Sequence, residues 1–148
     1  MAGPCTVDAS VFLNAFNPTE AGHKDSNRLM ARMKELATPI IVPTLVLPEV
    51  AATISRVLHD SALAAAFAKN LQRLPNLMLV ALDIMLAEQA ADMAAQRRLR
   101  GSDSVYAAVA LRFGSTLVTL DREQRERLAT VISSRSPTEM MAELGKQH

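Results

Sequence analysis

Four short apolar runs, separated by long stretches with helical spacing, limit what this chain can fold into. They are Cys5-Thr6-Val7, Ile40-Ile41-Val42, residues 77–82 (LMLVAL) and residues 116–120 (TLVTL). Continuous apolar runs of this length, bounded by Pro, Asn, Asp or Gly, suit strands buried on both faces of a sheet. Between them, residues 9–16 read as a helix stopped by Asn17-Pro18. Residues 20–36 form an amphipathic pattern, with Leu29, Met33 and Leu36 on one face, broken at Thr38-Pro39. Residues 44–58 and 61–74 read as two further helices, parted at His59-Asp60. Asp83 suits the N-cap of a helix reaching about residue 99, and Ser102 that of one ending at Phe113-Gly114. A short charged helix covers 122–129, and Val131-Ile132 is a weak fifth strand. Ser136-Pro137-Thr138-Glu139 has the capping-box pattern of a last helix. Strands alternating with helices predict a three-layer α/β/α sandwich around a mostly parallel sheet. One domain spans 1–148, with its core at about 5–133 and a helical extension at 134–148.

Composition narrows the chemistry. Hydrophobic residues make up 49% of the chain and aromatics only 3%, so Ala, Leu, Val and Met must fill the core. Met30, Met33, Met78, Met85 and Met93 read as core filler. No apolar run is long enough to span a membrane, and the N-terminus has no charged leader pattern, so a cytoplasmic protein is expected. The single cysteine excludes an intrachain disulfide and a zinc–thiolate site. The three histidines, His23, His59 and His148, are scattered. Any metal must therefore be held by oxygen, which points to Mg²⁺ or Mn²⁺. His59-Asp60 lacks the further histidines a phosphohydrolase dyad needs. A net charge of +1 neither demands nor excludes nucleic acid.

In a parallel sheet, ligands bind beyond the carboxyl ends of the strands. Asp8 directly follows the first strand and Asp121 the fourth. Glu49 follows the second strand and is the only charge between Glu35 and Arg56. Asp103 opens an otherwise apolar helix. Each has an ordinary structural use. Asp8 and Asp121 could cap the helices that follow them, and Asp103 could favour a helix dipole. Glu49 has the weakest structural explanation, because a lone acid in an apolar stretch must be desolvated. Gathered together, the four would repel one another and attract a dication, which activates water and steadies charge on phosphoryl oxygens.

In this order and on this pattern, the acids resemble the PIN domain family, most nearly its VapC-like toxin ribonucleases from type II toxin–antitoxin modules. The resemblance is carried by Val7-Asp8-Ala9-Ser10, Leu47-Pro48-Glu49-Val50, Gly101-Ser102-Asp103-Ser104-Val105 and Thr119-Leu120-Asp121-Arg122, and it covers about residues 6–132. It implies an endoribonuclease that hydrolyses RNA phosphodiesters with Mg²⁺ or Mn²⁺, an antitoxin partner and frequent homodimers. Asp8, Glu49, Asp103 and Asp121 are the implied metal ligands and catalytic residues. Ser10 and Thr119 would orient the carboxylates. The alternatives are an inactive interaction module of the same fold and a PIN nuclease of RNA processing. Pro48, just before Glu49, is tolerable in a first helical turn but makes that helix start less ordinary.

Two basic clusters flank these acids. Arg97, Arg98 and Arg100 precede Asp103, and Arg122, Arg125 and Arg127 follow Asp121. Both could meet RNA phosphates or simply face solvent, with Glu123 and Glu126 diluting the second. There is no Trp and only one Tyr, Tyr106, so base stacking offers little sequence preference.

Overall fold

The computed structural model describes residues 3–145. Five strands, β1 (Cys5–Val7), β2 (Ile40–Pro43), β3 (Leu77–Val80), β4 (Thr116–Val118) and β5 (Ser134–Arg135), form one sheet in the order β3-β2-β1-β4-β5. All four pairings are parallel. Eight helices join them: α1 (Ala9–Phe16), α2 (His23–Glu35), α3 (Val46–Leu58), α4 (Ser61–Gln72), α5 (Ile84–Arg97), α6 (Gly101–Phe113), α7 (Arg122–Leu128) and α8 (Pro137–Gly145). The expected three-layer α/β/α arrangement is the one observed.

The order of strands decides where a site can form. From β1 the chain steps to β2 and β3 on one side, then returns to place β4 on the other side of β1. Parallel crossovers are right-handed, so reversing the direction of travel moves the connecting helices to the opposite face. Helices α1 to α4 thus share one layer, joined by α8 packing on α2, while α5 and α6 cover the other. The gap beyond β1 and β4 is the point where the topology switches, and it faces the carboxyl ends of both strands.

Helix α6 is the central support of the second layer. Residues 104–110 are all buried, and the helix packs on β1, β2, β4 and α5. Ala107, Ala108 and Ala110 let backbones approach closely, while Tyr106 fills the volume with no exposure. Gly114 ends the helix at φ 60°, a left-handed conformation that glycine adopts without strain.

Several local expectations shift. Helix α2 begins at His23 rather than residue 20, because residues 18–22 form turns tied to Asn14. Asn14 donates to Glu20 Oε1 and the Ala21 carbonyl and accepts from Ser26. Ser102 does not cap α6, since Arg100 holds that position and Ser102 lies inside the helix. The fifth strand falls at Ser134–Arg135 instead of Val131-Ile132, which end a turn beyond α7. Met33 and Met93 are buried as expected, but Met78 and Met85 are 52% and 74% exposed. Met78 stands on the edge strand β3 and Met85 in the first turn of α5, where no element covers them.

Other expectations hold. Asp83 caps α5 by accepting from Leu86 N at 2.9 Å. The capping box is complete: Ser136 N donates to Glu139 Oε1, and Glu139 N to Ser136 Oγ. His59 and Asp60 have structural roles. His59 ends α3 in the left-handed region at φ 52°, and Asp60 caps α4. The segment read as an extension carries β5 and α8, with Met140 and Leu144 in the main hydrophobic cluster and Thr138 donating to Asp25. Its last three residues lie outside the described ones.

Candidate metal centre

The register of β1 against β4 builds the first half of the site. Val7 pairs with Val118, so the next residues, Asp8 and Thr119, leave the sheet side by side. Asp8 N donates to Val118 O at 3.0 Å, which fixes the direction of departure. Asp8 stands at the N-cap of α1 but makes no capping hydrogen bond with its side chain. Its Oδ2 instead accepts from Thr119 Oγ1 at 2.9 Å and Ser10 Oγ at 3.0 Å. Asp8 is only 8% exposed, and burial pushes its carboxyl above the ordinary range, with the two hydroxyls opposing.

Thr119 has one hydroxyl proton and two acceptors in reach, Asp8 Oδ2 and Gln124 Oε1 at 3.1 Å. The charge-assisted bond to the carboxylate is the stronger. The same hydroxyl accepts from Asp121 N at 3.2 Å, so it ties the two acidic segments together. Asp121 lies on the surface and does cap its helix, accepting from Gln124 N at 3.2 Å.

The other two acids come from helix starts on opposite layers. Glu49 lies in the first turn of α3 and Asp103 in the first turn of α6. Glu49 accepts from the Tyr106 hydroxyl at 2.6 Å. Burial raises the Glu49 carboxyl, the charges of Asp8 and Asp103 add to the rise, and the tyrosine opposes it. Asp103 is pushed up to about 6, first by burial and then by Asp8 and Asp121, with Arg100 opposing. The tyrosine itself is held neutral, by burial first and then by Glu49. The charges of Asp8 and Asp103 thus reach Glu49, and those of Asp8 and Asp121 reach Asp103.

The donor set is carboxylate oxygen only, which suits Mg²⁺ or Mn²⁺. Among the described residues, no group of three or more His, Cys, Asp or Glu side chains is gathered tightly enough to hold an ion as it stands. That spacing is compatible with Mg²⁺, which keeps several waters and takes few direct carboxylates. The mutual repulsion in the rim is what a dication would relieve, so the residues present fit such an ion.

A small hollow of about 40 Å³ opens beside the rim, lined by Arg100, Asp103, Asp121, Glu123, Gln124 and Arg127 among others. Arg100 is exposed there and Arg98 is exposed just before it in the chain, while Arg97 donates to Thr130 Oγ1. The second basic cluster is largely engaged. Arg122 pairs with Glu126, Arg127 with Glu123, and Arg125 donates to the Thr119 carbonyl at 2.7 Å.

Sequence reasoning missed two residues. Gln124 is buried, bonds Thr119, and reaches the Asp103 carbonyl at 3.4 Å. Its place three residues after Asp121 is the last position of a capping-box spacing, the signal that could have found it. Tyr106, the one tyrosine, is not a stacking surface at all but wholly buried. Its spacing of three from Asp103 puts both on one helix face. No spacing in the sequence pairs it with Glu49.

A parallel sheet in the order β3-β2-β1-β4-β5, between two helical layers and with acids at its switch point, defines a PIN-like α/β/α domain. The PIN domain model matches residues 5–128, and the chain belongs to that family. Among solved structures, it is similar to VapC20 of Mycobacterium tuberculosis, described as a sarcin–ricin-loop-cleaving toxin, at 21% identity and a TM-score of 0.69. That match covers 86% of this chain and 95% of the other. It is also similar to PAE2754 of Pyrobaculum aerophilum, at 20% identity and a TM-score of 0.71, covering 99% and 92%. DNA-bound VapBC of Salmonella typhimurium matches at 14% identity and a TM-score of 0.70, covering 91% and 98%. A search of the curated proteins found no sequence match. Among the described residues, no helix is long and apolar enough to cross a membrane.

Proposed function

We propose that this chain is a divalent-metal-dependent endoribonuclease, the toxin of a toxin–antitoxin pair. The observation that supports the reading is that the charges of Asp8 and Asp103 reach Glu49 and those of Asp8 and Asp121 reach Asp103, beyond the carboxyl ends of β1 and β4. Acids raised by burial, and in Glu49 and Asp103 also by neighbouring acids, are costly in a fold that does not use them. When bound, Mg²⁺ or Mn²⁺ would lower the pKa of a water and steady charge on a phosphodiester. The four carboxylates would hold the ion directly or through water. Ser10 and Thr119 keep Asp8 turned toward the rim, and Gln124 keeps Thr119 in place. The exposed Arg98 and Arg100 offer charge to the RNA backbone.

The likeness to VapC and VapBC structures supports an antitoxin partner, and a cytoplasmic location belongs to the same reading. A homodimer is supported by apolar residues left uncovered on β3, in the loop after it and at the start of α5: Met78, Leu82, Ile84 and Met85. The deciding experiment is cleavage of total RNA with Mg²⁺ or Mn²⁺, with fragment ends mapped, beside Asp8→Asn. Metal-dependent cuts at defined sites that vanish in the variant are expected. Equal activity in both proteins would defeat the proposal.

A further inference from the structure

Tyr106 is the only tyrosine in the chain, and none of it reaches solvent. A Phe at this point of α6 would fill nearly the same volume and leave no polar atom to satisfy. The hydroxyl therefore has to justify its burial through its partners, which are the Ala9 backbone amide and a site acid. It donates to Glu49 Oε1 at 2.6 Å across 57 residues of sequence. The bond also crosses the rim, from the α6 layer to the α3 layer. Tyr106 stands one turn after Asp103 on the same face of α6, so a single helix presents one acid to the rim and aims a donor at another.

We infer that Tyr106 is a positioning residue, whose hydroxyl fixes the orientation of the Glu49 carboxylate for capture of a divalent cation. The inference rests on the metal-binding role proposed above for the four acids. A glutamate side chain has three rotatable bonds, and ordering it costs free energy whenever an ion binds. Glu49 is only half-buried, and it accepts no other side-chain hydrogen bond among the described residues. A donor anchored in the core orders the carboxylate beforehand, so less of the binding energy is spent on ordering it. Partners of this kind typically change metal affinity about 10–100-fold.

The test is Mn²⁺ binding to the metal-free full chain, followed by titration calorimetry, for wild type, Tyr106→Phe, Glu49→Ala and the double variant. Thermal melts without metal check that each is folded. Tyr106→Phe is expected to weaken Mn²⁺ binding about 10–100-fold, and to have no further effect once residue 49 is Ala. Wild-type affinity in Tyr106→Phe would overturn the positioning role while leaving the metal site standing. An equal loss in both backgrounds would overturn it too, because the tyrosine would then act through packing. A wild type that binds no Mn²⁺ would end the metal reading itself, and this inference with it.

Discussion

Thr119 and Asp8 lie 111 residues apart in the chain and share a 2.9 Å hydrogen bond at the mouth of the sheet. The bond follows from strand register, since Val7 and Val118 are partners one residue earlier. Thr119→Val keeps the side-chain shape but removes the hydroxyl that serves Asp8, Gln124 and Asp121 N. The expected cost is about 1–3 kcal/mol of stability, from buried groups left without partners. Mn²⁺ affinity should also fall about 10–100-fold. Urea unfolding and titration calorimetry on the same samples check both.

Asp8→Asn should separate stability from function. The carboxyl of Asp8 is raised by burial, so its charge costs the folded state more than the unfolded chain. A neutral amide removes that penalty, and the metal-free variant should melt at or above the wild-type temperature. RNA cleavage should fall by more than the roughly 10–100-fold typical of a residue beside the metal. A large drop in melting temperature would show that Asp8 serves the fold.

Asp103 sets a pH window. Its carboxyl moves from the ordinary 3.8 to about 6 in the folded chain. Between those values the folded state holds more protons than the unfolded state, so stability should decline as pH rises through the window. Asp103→Asn should flatten this part of the metal-free stability curve. Mn²⁺ affinity should rise over the same interval, because the ion displaces the protons. Chemical denaturation and metal titration at several pH values test both slopes.

Arg100 and Arg122 should behave differently toward RNA. Arg100 is exposed beside Asp103, whereas Arg122 is paired with Glu126. In an Asp8→Asn background that does not cut, Arg100→Ala should weaken single-stranded RNA binding. It should also reduce the log–log salt slope by about 0.7, the value for one lost phosphate contact. Arg122→Ala should change neither. Fluorescence anisotropy at several salt concentrations distinguishes them.

Leu144 probes the C-terminal helix. It is fully buried in the main hydrophobic cluster, and α8 packs on α2. Leu144→Ala should cost about 2–5 kcal/mol, the range for a leucine removed from a packed core. A stability change under half a kcal/mol would make α8 an ornament on a domain that ends earlier.

The layered α/β architecture was legible in the order of apolar runs and helical patterns, because periodicity and breakers are local properties of the chain. Four candidate acids could also be picked out locally, since a charge at the end of an apolar strand or in the first turn of an apolar helix has few structural excuses. Asp121 shows the limit of that logic, since it is exposed and caps α7, the ordinary structural use of such an acid. What only the tertiary structure decided was pairing. That Tyr106 reaches Glu49, that Thr119 bridges Asp8 to Gln124, and that α8 completes the core all depend on register and crossover direction. Those are fixed by how whole layers pack, and contacts between residues 57 or 111 positions apart leave no trace in local spacing.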